Sequence, residues 1–127
     1  MNTEKVIFAF FIILAATLNF GFFLGEIHDV DHHNVFELFA ALVISLIATV
    51  MKLGDRTHLG AVLLATSLVA DLQLIVAALL WAYASNISEA GLTEELIASV
   101  VSMSGGALLA NVISVVLLVV ETITVRR

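Results

Sequence analysis

Four long runs of hydrophobic residues, separated by short polar segments, make up most of this 127-residue chain. The runs cover residues 6–25, 35–53, 59–84 and 96–120. Each is long enough to cross a hydrocarbon core of about 30 Å as a helix that rises about 1.5 Å per residue. The pattern predicts an all-α, polytopic membrane protein whose residues 1–127 form a single transmembrane domain. Because the loops are short, we expect an antiparallel four-helix transmembrane bundle.

The first hydrophobic run is too long for the apolar core of a secretory signal, and no small-residue cleavage pattern follows it. We therefore expect it to be a retained helix. The chain has no Cys, so it has neither a disulfide framework nor a thiolate metal site. It also lacks a phosphate-binding loop, a nucleophile elbow and a zinc-protease motif. We therefore expect that the protein is not an enzyme and does not bind nucleic acid.

The charged residues are divided between the two sets of predicted helix ends. All five basic residues fall on one set, namely Lys5, Lys52, Arg56, Arg126 and Arg127. Seven of the eleven acidic residues fall on the other set, namely Glu26, Asp29, Asp31, Glu37, Glu89, Glu94 and Glu95. The positive-inside rule places the basic ends in the cytoplasm. The sequence thus predicts a multi-pass protein of the cell inner membrane with both termini cytoplasmic.

The third predicted helix carries polar residues on two faces. Ser67 lies one turn before Asp71 on the same face, whereas Thr66 and Gln73 lie on a face turned well away. Lipid against either face would leave a polar group unpaired in hydrocarbon, at a cost of several kcal/mol. We therefore expect this helix to have a protein neighbour on each of two sides.

Asp71 is the most informative residue of the chain because it lies near the middle of a membrane helix. Counted from the basic ends, Asn19, Ser45 and Asn111 fall at a similar depth, so these side chains are expected to share a site with Asp71. The hydrophobic runs contain no Lys or Arg to neutralise the carboxylate. Asp71 is then a protonated tie between helices, a group that binds a mobile cation or proton, or the partner of a basic residue in another protein. The predicted ion pathway comprises Asp71, Gln73, Asn19, Asn111, Ser45 and Ser67.

Small residues recur every fourth position along the fourth predicted helix. They are Ser102, Gly106, Ala110 and Ser114. Such a stripe allows another helix to approach closely. The partner helix belongs either to the same chain or to a second copy, and we take the stripe as a candidate oligomer interface.

The first acidic loop contains three histidines among several carboxylates. If the second helix begins early, His28 and His32 are one turn apart, and Asp29, His33 and Glu37 form a second stripe. Imidazole and carboxylate groups at this spacing can bind a divalent metal ion such as zinc. The same residues also suit a pH sensor or a solvated loop that caps the helix. No other cofactor is expected.

Taken together, these features predict a small membrane protein that forms a homo-oligomer and conducts or transports cations or protons. An acidic mouth would concentrate small cations and a midplane acid would receive them. A tight four-helix bundle fills its own centre, so a pore would lie between protomers. The alternative is a non-conducting accessory subunit that regulates a larger membrane channel or transporter complex. The lipid bilayer is a partner in both cases.

The predicted topology can be tested by cysteine labelling, because the chain has no native Cys. Single cysteines near Asp31 and Glu94 are expected to react from the periplasm with a membrane-impermeant reagent. Cysteines near Asp55 and Arg127 should react only after the membrane is opened. Periplasmic labelling next to Arg56 would contradict the orientation.

Overall fold

The computed structural model describes residues 3–24, 33–54, 57–87 and 89–125, and all statements below concern these ranges. They contain four α-helices, which are α1 Thr3–Phe23, α2 Val35–Lys52, α3 His58–Asn86 and α4 Glu94–Val125. All four are long and apolar enough to cross a membrane. The prediction of an all-α, four-helix membrane bundle is confirmed.

Several helices begin or end a few residues away from the predicted positions. α1 begins three residues earlier than predicted and ends at Phe23, while α4 runs to Val125 instead of residue 120. Hydrophobic runs mark the part of a helix that suits hydrocarbon, and a helix can extend beyond that part into polar surroundings. Capping defines two starts: the Asn34 side chain accepts from the Phe36 N–H at 2.9 Å, and Thr57 accepts from the Gly60 N–H at 2.9 Å.

The four helices surround a common axis in the order α1, α2, α3, α4. α1 packs against α2 and α4, and α3 packs against the same two helices, with the α3–α4 interface the most extensive. α1 and α3 therefore lie diagonally across the bundle. We call the end where α1 and α3 begin the basic end, and the opposite end the acidic end.

The buried apolar residues form two separate clusters. The larger one, toward the acidic end, includes Phe22, Leu38, Leu74 and Ile97. The smaller one, toward the basic end, consists of Phe8, Ile12, Ala48 and Leu63. Large apolar side chains on the outer helix faces, such as Phe10, Val43, Leu72 and Leu109, are exposed and suit a lipid environment.

Buried polar side chains occupy the region where the two apolar clusters meet, and we call this region the polar zone. Its members are Asn19, Ser45, Thr49, Ser67, Asp71, Ser104, Asn111 and Ser114. On α2, Ser45 lies between Ala41 of the larger cluster and Ala48 of the smaller one. On α3, Ser67 lies between Leu63 and Ala70 in the same way. The polar zone thus crosses the bundle between two hydrophobic cores.

The small-residue stripe of α4 contacts α3 of the same chain. A Cβ atom built on Gly106 would lie 2.5 Å from Gln73 Nε2, and the Ser114 and Thr66 hydroxyl oxygens are 2.6 Å apart. Ala110 is buried, whereas Ser102 is exposed. The structure therefore places most of the stripe in packing within one chain, which is one of the two alternatives. Its role as an oligomer interface stays a prediction.

Gly106→Leu is expected to separate α3 from α4, because the larger side chain must enter the space held by the Gln73 amide. Overpacking of this kind typically costs about 1–3 kcal/mol. Thermal unfolding in detergent measures the effect, and any assembly through this face should weaken with it. Gly54→Leu is the matched control, since a Cβ on Gly54 meets no atom within 4 Å. Equal stability of the two variants would contradict the close α3–α4 packing.

Candidate functional site

Asp71 lies on α3 in the polar zone and is 5% exposed. Its carboxyl group contacts two hydroxyl groups of α2: Ser45 Oγ is 2.7 Å from Oδ1, and Thr49 Oγ1 is 2.5 Å from Oδ2. Ser45 and Thr49 are four residues apart, so one face of α2 presents both hydroxyls to the carboxyl group. The site is therefore built from α2 and α3 of a single chain.

Thr49 makes a second contact within its own helix. Its Oγ1 lies 2.9 Å from the Ser45 carbonyl oxygen, one turn earlier. Such bonds from Thr to the preceding turn are common in helices. The Thr49 hydroxyl is thus held between a backbone carbonyl and the Asp71 carboxyl group.

The structure confirms one predicted neighbour of Asp71 and adds one. Ser45 contacts Asp71 as expected from its depth. Thr49 was not predicted, although its spacing of four residues from Ser45 is a visible signal in the sequence. Ser67 is fully buried one turn from Asp71, and its hydroxyl has no hydrogen-bond partner within the described residues.

Neither Asn19 nor Asn111 is hydrogen-bonded to Asp71 within the described residues, and a site shared by all three stays a prediction. Asn19 Oδ1 accepts a hydrogen bond from Ser104 Oγ of α4 at 2.7 Å. The reason is the order of the helices: α1, which carries Asn19, lies diagonally opposite α3 and next to α4. α4, which carries Asn111, packs against the face of α3 that presents Thr66 and Gln73.

The two polar faces of α3 have the two protein neighbours that the sequence predicts. The Asp71 face meets α2 through Ser45 and Thr49. The other face meets α4, where the Gln73 amide packs on Gly106 and Thr66 contacts Ser114. Gln73 therefore lies on the side of α3 away from the carboxyl group.

Several buried polar atoms in the bundle have no hydrogen-bond partner within the described residues. They are Asn19 Nδ2, Ser67 Oγ, Gln73 Oε1, Asn111 Nδ2 and Asn111 Oδ1. An unsatisfied buried group costs about 1–3 kcal/mol, so native proteins keep such groups for water, an ion or a function. Asn111 is fully buried, and both of its side-chain polar atoms are among these unpartnered groups.

Near the acidic end, the buried side chain of His33 forms a hydrogen bond with the backbone at the end of α1. Its Nδ1 lies 2.5 Å from the Phe22 carbonyl oxygen, and because a carbonyl only accepts, Nδ1 carries the hydrogen. The His33 and Phe22 rings are 5.4 Å apart between centroids. The His33 side chain is only 4% exposed, so it is not part of a fully solvated loop.

The predicted metal cluster is only partly within the described residues. His28, Asp29 and His32 lie outside them. α2 begins at Val35, so His33 precedes the helix that carries Glu37, and the early helix start assumed for their spacing is not present. Glu37 packs over Gly21, where a Cβ would overlap its carboxylate. No group of three potential ligands is found within the described ranges, and a divalent metal at this loop stays a prediction.

Comparison with known proteins identifies the family of the chain. A model described as "Family of unknown function (DUF6394)" matches residues 32–122, which is more than two thirds of the chain, so the chain belongs to this family. The match includes Ser45, Thr49 and Asp71 and excludes Asn19. No curated protein and no solved structure matches the chain.

His33→Ala is expected to destabilise the bundle, because it removes the partner of the Phe22 carbonyl and opens space beside the Phe22 ring. A lost hydrogen bond of this kind is worth about 0.5–1.5 kcal/mol, and the vacated space adds to that cost. The measurement is thermal unfolding in detergent. His58→Ala, at an exposed position, is the matched control and should leave stability unchanged. An equal drop in unfolding temperature in both variants would show that the contact between His33 and Phe22 does not stabilise the bundle.

Proposed function

We propose that this protein carries protons or small cations across a membrane and that Asp71 is the group that receives them. The observation that carries the proposal is a buried carboxyl group held by two hydroxyls within a polar zone of a membrane-spanning bundle. Ionisable residues at such positions are rare and mark ion pathways, proton relays and binding sites.

The contacts of Asp71 support a mobile positive charge as its partner. The lysines that the structure describes have other neighbours: Lys5 Nζ is 3.5 Å from Glu121 Oε2, and Lys52 Nζ lies 4.4 Å from the centre of the Phe8 ring. An isolated carboxylate is costly at this depth. Within a single chain, Asp71 is therefore either protonated or accompanied by a cation that enters and leaves.

The distribution of charge supports a direction of approach. Glu37, Glu94 and Glu95 lie at the acidic end, where they would attract cations, and the unpartnered atoms of Asn19, Ser67 and Asn111 provide polar groups inside the bundle. In the proposed orientation the acidic end faces away from the cytoplasm, the membrane is the cell inner membrane, and both termini are cytoplasmic.

The proposal includes a homo-oligomer. Side chains from all four helices fill the centre of the bundle, with large residues such as Phe8, Phe22 and Trp81 buried there. A bundle filled in this way has no room for a wide aqueous pore. Channel-like conduction would therefore run between copies of the chain, whereas carrier-like movement of single ions would run through the Asp71 site.

An outer groove favours a second candidate function, that of a non-conducting accessory subunit. This groove lies between α1 and α4 and has a volume of about 560 Å³. It is lined by Ile13, Ala16, Thr17, Phe20, Leu108, Val112, Val115 and Val116. An apolar membrane helix of a larger complex would fit such a surface, and purification from native membranes would then recover a second protein.

Asp71→Asn provides the test of the proposed function. The amide keeps the size of the side chain and its capacity to hydrogen-bond but cannot release a proton, so the variant should insert and unfold like the wild type while ion flux into proteoliposomes is lost. Proton flux and flux of sodium or potassium ions are measured separately. Glu4→Gln, an exposed acid-to-amide change at the basic end, is the matched control and should keep the flux.

A structural role alone gives the opposite pattern. In that case Asp71→Asn has wild-type flux with wild-type pH dependence, whereas Asp71→Leu destabilises the bundle by leaving the Ser45 and Thr49 hydroxyls without their hydrogen-bond partner on α3, at about 1–3 kcal/mol. Absence of flux in the wild type would contradict the transport proposal and favour the accessory subunit.

A further inference from the structure

We propose that the ion bound at Asp71 is a proton, carried on Oδ2 and donated to Thr49 Oγ1. This inference rests on the proposed function and narrows it, because it assigns the ion and gives Thr49 the role of a positioning residue. It follows from the spacing of the oxygen atoms, from a count of the available protons and from the surroundings of the carboxyl group.

The spacing of the oxygens fits shared protons better than a metal cation. The Asp71 carboxyl oxygens lie 2.7 Å from Ser45 Oγ and 2.5 Å from Thr49 Oγ1. These are normal to short separations for O–H···O hydrogen bonds. Oxygens that are neighbours around an octahedral magnesium ion, with ligand distances of about 2.0–2.1 Å, are about 2.8–3.0 Å apart. The Asp71, Ser45 and Thr49 oxygens are thus closer together than the ligands of such an ion.

The number of contacts favours a proton on the carboxyl group. Three oxygen pairs are at hydrogen-bond distance: Ser45 Oγ with Asp71 Oδ1, Thr49 Oγ1 with Asp71 Oδ2, and Thr49 Oγ1 with the Ser45 carbonyl. Each hydroxyl supplies one proton, and the carbonyl supplies none. With two protons, Thr49 must share its one proton between two acceptors in a three-centre bond, whereas a proton on the carboxyl group gives each pair its own.

A neutral Asp71 satisfies every pair in one consistent arrangement. Oδ2–H donates to Thr49 Oγ1, the Thr49 hydroxyl donates to the Ser45 carbonyl, and the Ser45 hydroxyl donates to Asp71 Oδ1. With an ionised Asp71, Thr49 must share its single proton between the carboxylate and the backbone carbonyl. Thr49 is therefore positioned to accept a hydrogen bond from the protonated acid and to donate one to the carboxylate.

The helices packed against α3 bring no charged group into hydrogen-bond contact with the carboxyl group. On α2 the charged residues are Glu37 in the first turn and Lys52 in the last turn. On α4, Glu94 and Glu95 lie in the first turn, and Glu121 lies near the opposite end, where it pairs with Lys5. On α3 itself, His58 and Tyr83 lie near the ends of the helix. The described contacts of Asp71 are hydroxyl groups alone.

Infrared spectroscopy of the purified, lipid-reconstituted protein tests the proton assignment directly. A neutral carboxylic acid has a C=O stretching band that is separate from the bands of carboxylates and amides. We expect such a band in the wild type at neutral pH and its loss in Asp71→Asn. Thr49→Val should shift the band, because the acid loses its acceptor, and Thr49→Ser should restore its position.

Thr17→Val is the matched control for the Thr49 variants. Thr17 also lies in a membrane helix and donates to a backbone carbonyl of its own helix, Leu14 O at 2.9 Å, but it is exposed on the outer face of α1. This control should leave the band unchanged. Because the Thr49 and Thr17 variants keep Asp71, they decide the assignment even if Asp71→Asn does not fold.

The spectrum and the flux assay separate this inference from the proposed function. A neutral-acid band without ion flux supports the proton assignment and contradicts transport. Flux of sodium or potassium ions that depends on Asp71, with no neutral-acid band, contradicts the proton assignment and supports transport. A band that is identical in wild type and Thr49→Val shows that Oδ2 does not donate to Thr49 and overturns the arrangement.

Discussion

The hydrogen bonds between the Asp71 carboxyl group and the Ser45 and Thr49 hydroxyls are the interaction on which the arrangement of this bundle depends. In hydrocarbon an unpaired carboxyl group is too costly to face lipid, so α3 must turn this face toward a helix that offers polar partners. α2 offers two hydroxyls one turn apart. Gln73 and Thr66 must also avoid lipid, and their neighbours Gly106 and Ser114 lie on α4. This second contact places α4 on another side of α3. The polar groups of α3 thus select its neighbours, and the apolar residues then fill the core on either side.

Much of the fold follows from the sequence because membrane helices are constrained by length and hydrophobicity. Four runs of sufficient length predict four helices, and the two polar faces of α3 predict two neighbours. The contacts of individual side chains were harder to predict. Depth alone grouped Asn19 with Asp71, but depth does not give the order of helices around the axis, and that order places Asn19 beside Ser104. Thr49 was missed because a Thr in a membrane helix commonly satisfies its own hydroxyl through the preceding turn.

The same site can serve both as a tie between helices and as a place where an ion is exchanged, because hydrogen bonds between membrane helices are weak. Measured values average about 0.6 kcal/mol and reach about 1.7 kcal/mol. Breaking the two bonds to Asp71 is therefore within reach of ordinary thermal fluctuation, and the packing of the α2–α3 interface adds the remaining cost. The structural and the transport interpretations of Asp71 differ in whether the carboxyl group changes its protonation state, since both include the same contacts in the closed bundle.

The two apolar clusters determine what transport through this chain would require. The polar zone extends from Asp71 toward the basic end through Ser67 and toward the acidic end through the Asn19–Ser104 pair, but each side is closed by buried apolar residues. Among the residues that the structure describes, the hydrogen bonds of Asp71 end at Ser45 and Thr49 and do not continue to either surface. Exchange with one side at a time would require α2 and α3 to separate at one cluster while the other stays packed, which is the alternating access of membrane carriers. The smaller cluster, Phe8, Ile12, Ala48 and Leu63, has four buried residues against twelve in the larger one, so the basic end is where less buried apolar surface opposes such an opening.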